Sequence, residues 1–269
     1  MRYKVDMPKK ITVTQWLLAI NAGVFVLMYF ILPEHPGLRK HLPLYFPLND
    51  NFQIWQFVTS IFTHADTTHL LFNMFGLFSF GSLLERVWGG KRFLIFYFVV
   101  GIGAGVIYSA VNYFQYESIA SELREHGVPP EVFALLDEGD DPRPFAFALE
   151  SQYPEAVAAV EREKIVKLYV TYKTPVVGAS GAIYGILTAF GLLFPNAKLS
   201  LIFLPIPIAA KFFIPAILLL DLFSGITGFS IFGGGIAHFA HLGGAFIGFL
   251  LMIIWRKDLS LPPELQYSH

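Results

Sequence analysis

The sequence predicts an all-α integral membrane protein, a six-transmembrane-helix bundle with an extra polar insertion between helices 3 and 4. Composition is the first observation. The 269-residue chain is 55% hydrophobic and 14% charged, with mean hydropathy +0.56, whereas a soluble domain carries about a quarter charged residues. Periodic apolar runs are the second, each near the ~20 residues that cross a bilayer as a helix. The third is charge segregation: residues 115–174 alone hold twelve acidic and six basic side chains. A net charge of −1 provides no basic patch for nucleic acid. The absence of cysteine excludes disulfides, thiol catalysis and cysteine metal sites.

Taken in order, Arg2, Lys4, Lys9 and Lys10 precede an apolar run over 11–32, which is too long for a signal-peptide core and lacks a small-residue cleavage site. It predicts a retained first span. Residues 33–56 read as a loop with Tyr45, Phe46, Phe52 and Trp55 suited to the headgroup level. The second span is expected over 57–84, and Glu85 and Arg86 at its inner end are expected to brace the following turn. The third covers 92–114, where Gly101, Gly103 and Gly105 read as helix-packing positions, since no strand precedes them as a phosphate loop requires.

The insertion over 115–174 faces water. Val157, Val160, Ile165, Leu168, Tyr169 and Tyr172 predict one amphipathic helix across 154–172. The fourth span is expected over 176–194. Pro205 and Pro207 make 195–211 an interfacial loop, because prolines so close together break a spanning helix. The fifth span is 212–226, a Gly-rich loop follows, and the sixth is 236–255.

Six spans return both termini to one side. The basic residues gather there: the N-terminal four with Arg86, Lys91, Arg92, Lys198, Lys211, Arg256 and Lys257. The positive-inside rule makes that side cytoplasmic, as in a bacterial inner (plasma) membrane, and puts the insertion outside. His64, His69, Ser180, His238 and His241 then fall near the outer ends of spans two, four and six.

Polar residues within spans are costly and face a protein interior or a wet cavity. His69 and Asn73 are four apart on one helix face, as are Ser180 and Tyr184; His241, Gly244 and Gly248 form a stripe at i, i+3, i+7. Glycines at 244 and 248 would let span six approach the small residues Gly181, Gly185 and Ala189 of span four, bringing the imidazole of His241 to Ser180. A serine hydroxyl becomes a nucleophile when a base in hydrogen-bond reach takes its proton. A helix N-terminus, an amide and an imidazole N–H are suitable donors to an oxyanion.

The motifs His69-Leu-Leu-Phe-Asn73, Gly178-Ala-Ser180-Gly181-x-x-Tyr184 and Ala240-His241-x-Gly-Gly244-x-x-x-Gly248 resemble those of rhomboid intramembrane serine proteases, in the right order over all six spans. The resemblance implies Ser180 as nucleophile and His241 as general base. It also implies an oxyanion hole from His69, Asn73 and the Ser180 N–H, with Tyr184 under His241 and His64 at a frequently seen upstream histidine. Gly178, Gly181, Gly244 and Gly248 would support the site. The substrates implied are transmembrane proteins cut in or beside a membrane helix, with no cofactor and no metal.

No acidic residue lies near His241 in span six, so a Ser–His dyad is expected, with Tyr184 orienting the ring. Asp221 is read as hydrated near the outer end of span five, and His238 as an outer-rim residue. Many rhomboids carry Trp-Arg in the first outer loop; this chain has Trp55-Gln56, with Arg39 upstream. The insertion is either a cap over the site or a loop decoration. Two other readings stay open. One is an inactive rhomboid-like protein that binds membrane proteins, which Ala179, Ser180 and His241 disfavour. The other is a metal transporter or metalloprotease using His64, His69, His238, His241 and Asp66, although no His-Glu-x-x-His occurs.

Overall fold

Apolar helices define the architecture, and their ends are set by polar caps. The computed structural model describes residues 11–33, 35–138, 141–201, 204–229 and 237–255. The basic residues at 1–10 and 256–257, and the Gly-rich run 233–235, lie outside the described residues. Among the described residues, five helices are long and apolar enough to cross a membrane: α1 (Val13–Ile31), α2 (Thr67–Trp88), α3 (Gly90–Glu125), and the two that follow the shorter α4 (Ser180–Leu193), namely α5 (Ala210–Thr227) and α6 (His238–Trp255). This is the helical membrane bundle that the sequence predicts.

Thr12 and Gln15 form a reciprocal capping box at the start of α1. Glu85 reaches across from the end of α2 and accepts from Val13 N (2.7 Å), Thr14 N (2.8 Å) and Thr14 Oγ1 (2.7 Å). Its carboxylate thus satisfies backbone donors that no turn of α1 can reach. Nearby, Trp88 and Phe96 pack on Trp255, and Arg92 lies over the same indole. The start of α1 and the end of α6 therefore share one end of the bundle.

The second helix begins at Thr67 rather than 57, because Asp66 caps it by accepting from His69 N at 2.8 Å. Residues 57–66 instead finish a short helix (Gln56–Thr59), make a 3₁₀ turn (Ser60–Phe62) and extend at Thr63. In the first loop, Gln56 is fully buried; its side chain donates to Asn51 O (2.8 Å) and accepts from Tyr45 N (3.2 Å). Trp55 Nε1 donates to His41 O at 3.1 Å. The Trp55-Gln56 pair thus braces this loop with neutral hydrogen bonds.

The third helix runs eleven residues beyond the expected 114. Its extension buries Tyr116, Ile119, Ala120 and Leu123 in a second hydrophobic core formed by the insertion, with Phe46 of the first loop. The expected single helix over 154–172 is two, Pro154–Ala159 and Arg162–Lys173, parted where Val160 and Glu161 turn extended. Tyr172 ties the insertion down by donating to Leu48 O at 2.9 Å and lying 2.5 Å from Asp137 Oδ2. The loop at 195–211 is an antiparallel hairpin, β1 (Lys198–Leu201) and β2 (Leu204–Ala209). A two-stranded ribbon has only edges, so Pro205 and Pro207 can sit in it without breaking an interior ladder.

At the centre lies α4, with Gly181, Ala182, Ile183, Gly185, Ile186, Ala189 and Phe190 buried. An all-round apolar helix belongs inside a bundle. It starts at Ser180 rather than 176: Val176 pairs with Leu44 instead, and Gly178 has φ 116°, a left-handed value that favours glycine. Against α6 the approach is backbone to backbone. A Cβ added at Gly248 would lie 2.7 Å from Gly185 Cα, and one at Gly185 would lie 2.9 Å from Gly244 O.

Candidate active site

Three sets of side chains meet at the end of the bundle away from Glu85 and Trp255. The first comes from α2. The Asp66 cap starts this helix just before His69, and the helical repeat puts Asn73 one turn below. Both side chains converge on Gly178: a Cβ there would lie 2.6 Å from His69 Nε2 and 3.5 Å from Asn73 Nδ2. The Asn73 amide nitrogen is buried and has no hydrogen-bond partner among the described residues. His64, 1% exposed, stands edge-on to His69 at 5.1 Å between centroids. Its burial, with His69 adding to the effect, lowers its pKa to about 3, so it is a neutral ring packed behind the donors.

The second set belongs to α4. Gly178 N donates to Ser60 O at 2.9 Å, fixing the turn that delivers Ser180 to the first helical position. The N–H groups of a helix's first turn have no partners within the helix. Tyr184 lies one turn below Ser180. A cavity of about 30 Å³ lined by Ser60, Gly178, Ser180 and Ala240 adjoins this turn, room for roughly one water.

The third set is on α6 and α5. The His241 ring stacks on Tyr184, centroids 4.1 Å apart and planes 12° from parallel. Its Nδ1 lies 3.3 Å from Asp221 Oδ1, and His238 Nδ1 lies 2.5 Å from the same oxygen. Asp221 is only 6% exposed, so it is not a hydrated residue near a helix end. His238 likewise does not stand apart on the rim, since it shares that carboxylate. A carboxylate does reach His241, from α5 rather than α6, and the sequence reading missed it. The signal available was the spacing of Asp221, Ser224 and Gly225 along one face of α5. A Cβ added at Gly225 would lie 3.2 Å from the Phe239 ring and 3.4 Å from His238 Cβ, so that face meets α6.

The structure thus gathers Gly178, Ser180, His69 and Asn73 on one side and Tyr184, His241, His238 and Asp221 on the other, with Tyr184 carrying the link to Ser180. The four-histidine cluster considered for a metal divides into His64 with His69 and His238 with His241. Asp221, His238 and His241 do bring three ligand atoms within 4.8 Å of one another. The 2.5 Å separation between His238 and Asp221 is that of a hydrogen bond, shorter than the ~3.3 Å between neighbouring ligands implied by metal–ligand distances of about 2.0–2.2 Å.

With this geometry in view, the family model described as the Rhomboid domain matches residues 51–135 and 157–258. The chain belongs to the rhomboid family. An uncharacterized mitochondrial rhomboid protein of Schizosaccharomyces pombe is 30% identical over 214 residues, covering 76% of this chain and 52% of the relative. The mitochondrial presenilin-associated rhomboid-like protein of Bos taurus is 26% identical over 246 residues, 88% of this chain and 49% of that one. Rhomboid-like protease 3 of Toxoplasma gondii is 35% identical over 92 residues, 34% of each chain. This rhomboid spans about half the length, or less, of these relatives. The gap between the two matched segments, 136–156, lies within the insertion, consistent with a helical bundle that carries an additional small core.

Proposed function

We propose that this rhomboid is an intramembrane serine endopeptidase that cleaves peptide bonds in or next to transmembrane segments of other membrane proteins. The observation that carries the reading is a convergence around one helix start. Two donors, one of them buried and without a partner among the described residues, face Gly178, two residues before Ser180, while Tyr184, one turn after it, stacks on His241. A buried amide N–H without an acceptor is costly, and an oxyanion would supply that acceptor.

In the proposed reaction the Ser180 hydroxyl gives its proton to His241 Nε2 as Oγ attacks the scissile carbonyl carbon. The carbonyl oxygen gains the negative charge and is held by the Ser180 N–H, His69 Nε2–H and Asn73 Nδ2–H. His241 then passes the proton to the leaving amine. A water, deprotonated in turn by His241, attacks the acyl-enzyme and releases Ser180. Each oxyanion donor contributes on the order of 3 kcal/mol to transition-state stabilisation. The scissile carbonyl must leave its own helix to reach these donors, so segments with Gly, Ala or Pro near the cut are the favoured substrates.

The site end of the bundle also carries the insertion, which is joined through Tyr172 to the first loop, and that loop is joined in turn to the segment before Ser180 through the Leu44–Val176 pairing. It serves as a cap on substrate access in this reading. The end that carries Glu85, Arg92 and Trp255 faces the cytoplasm, or the equivalent compartment of an organelle. Two of the relatives above are mitochondrial, so they lend the bacterial inner membrane no support, and the charge pattern alone carries that reading.

A fluorophosphonate probe tests the reading. The wild-type protein should be labelled, with the adduct mapping to Ser180 by mass spectrometry, and Ser180→Ala and His241→Ala should each abolish labelling. Labelling elsewhere, or none in a folded protein, would support the inactive binding protein instead.

A further inference from the structure

We infer that Asp221 is a positioning residue for His241, making the catalytic unit a Ser180–His241–Asp221 triad completed from a neighbouring helix. The inference rests on the protease reading and adds to it the residue that sets the tautomer of the base. A carboxylate buried in a membrane bundle is expensive and persists where it is paired and has a task. The groups around Asp221 account for the pairing: His241 Nδ1 at 3.3 Å and His238 Nδ1 at 2.5 Å, with the Tyr184 hydroxyl side of the stack adjacent.

The geometry has a chemical consequence. A neutral imidazole carries its proton on one nitrogen, and the hydrogen bond made by the other side decides which. Asp221 Oδ1 accepts only, so its approach to Nδ1 keeps the proton there and leaves the Nε2 lone pair for the Ser180 hydroxyl. When Nε2 takes that proton, the carboxylate faces the imidazolium that forms. Tyr184 fixes the plane of the ring by stacking at 12°, but a stack does not choose between the two nitrogens. Asp221 supplies what Tyr184 cannot.

His238 competes for the same oxygen from one turn earlier on α6, at a shorter distance. It therefore holds the carboxylate in place and draws on its accepting capacity at once. His238 is outside the reacting set: it contacts Asp221, and the proton route from Ser180 ends at His241. Among the described residues, His69 from α2 is a further ionisable group close enough to His241 to interact with it electrostatically.

The test uses the full chain in proteoliposomes with a transmembrane substrate, comparing wild type, Asp221→Asn, His238→Gln and Ser180→Ala. Asp221→Asn should lower kcat by about a hundredfold or more, as tautomer loss does in soluble triads. KM and the thermal midpoint should stay within the range of the wild type. His238→Gln should lower kcat by less than Asp221→Asn does, because it removes one partner of the carboxylate and leaves the Asp221–His241 contact. Histidine-selective ¹⁵N spectra supply a readout that a packing role would not move: neutral His241 should be protonated at Nδ1 in wild type and lose that preference in Asp221→Asn. If Asp221→Asn fails to fold, the wild-type spectrum decides alone, and protonation at Nε2 overturns the inference. Wild-type kcat in Asp221→Asn also overturns it. Failure of the protease reading looks different, since Ser180→Ala would then match wild type.

Discussion

Replacing Gly244 with alanine would place a methyl group inside the backbone-to-backbone contact of α4 and α6. The added Cβ would lie 2.7 Å from the Gly181 carbonyl carbon, with the carbonyl oxygen nearer still, below the 3.0 Å that a real Cβ essentially never passes and short of the 3.4 Å where ordinary contact begins. The obstructing atoms are backbone, so no rotamer change relieves them. The helices α4 and α6 must part by about 0.7 Å on the carbon contact alone, and by more on the oxygen, in an interior with little free space. Overpacking of this kind costs about 1–3 kcal/mol. The functional effect should be larger in proportion, because α4 carries Ser180 and α6 carries His241. A misplacement near 1 Å between reacting groups costs roughly a hundredfold in rate. Two controls bracket the effect. Gly103→Ala meets only the Ile247 side chain at 2.9 Å, which can rotate, and Gly23→Ala meets nothing within 4 Å. Thermal unfolding in detergent and cleavage of a reconstituted substrate should rank Gly244→Ala as most damaging, Gly103→Ala as mild and Gly23→Ala as neutral. Wild-type stability and rate in Gly244→Ala would refute the claim that direct backbone contact sets the site.

Further outcomes follow from other contacts. Glu85→Ala removes three hydrogen bonds at the start of α1 and should lower stability by about 1–3 kcal/mol, seen as a reduced thermal midpoint with probe labelling of Ser180 retained. His64 should make the fold acid-sensitive. Its folded pKa of about 3 lies below the ordinary 6.5, so the unfolded chain takes up the proton first, and stability present above pH 6.5 is lost progressively as pH falls toward 3. Midpoints measured from pH 7.5 down to 4.5 should fall more steeply in wild type than in His64→Phe. In the insertion, burial and the Asp137 carboxylate raise the Tyr172 phenol, so the unfolded chain ionises first and stability is lost as pH rises above about 10. Tyr172→Phe should blunt that alkaline loss and, if the insertion caps the site, change cleavage of a membrane substrate more than labelling by a small probe.

Much of this was legible in the sequence because membrane helices obey few rules. The spans followed from apolar runs, and the α4–α6 contact from Gly244 and Gly248 facing Gly181 and Gly185. The pairs His69 with Asn73 and Ser180 with Tyr184 followed from helical periodicity. Helix ends were less legible, since they depend on single polar contacts: Asp66 capping α2, and Gly178 holding α4 back to Ser180. The extension of α3 was hidden by its charge, which reads as a water-facing loop until the insertion's own core covers Tyr116 and Leu123. Asp221 was missed for a different reason. Its partner is twenty residues away on another helix, and composition alone does not tell a hydrated carboxylate from a buried one. Gln56 shows the same limit, because its bonds to Asn51 and Tyr45 depend on how the first loop folds back.

In the proposed reaction Ser180 attacks a peptide bond presented within the membrane. The most direct test is to reconstitute the wild-type chain and Ser180→Ala with a single-span substrate and locate the cut by mass spectrometry. Wild type should cut in or beside the span, and Ser180→Ala should leave the substrate intact. Equal cleavage by both proteins, or a folded wild type that leaves every such substrate whole, would contradict it.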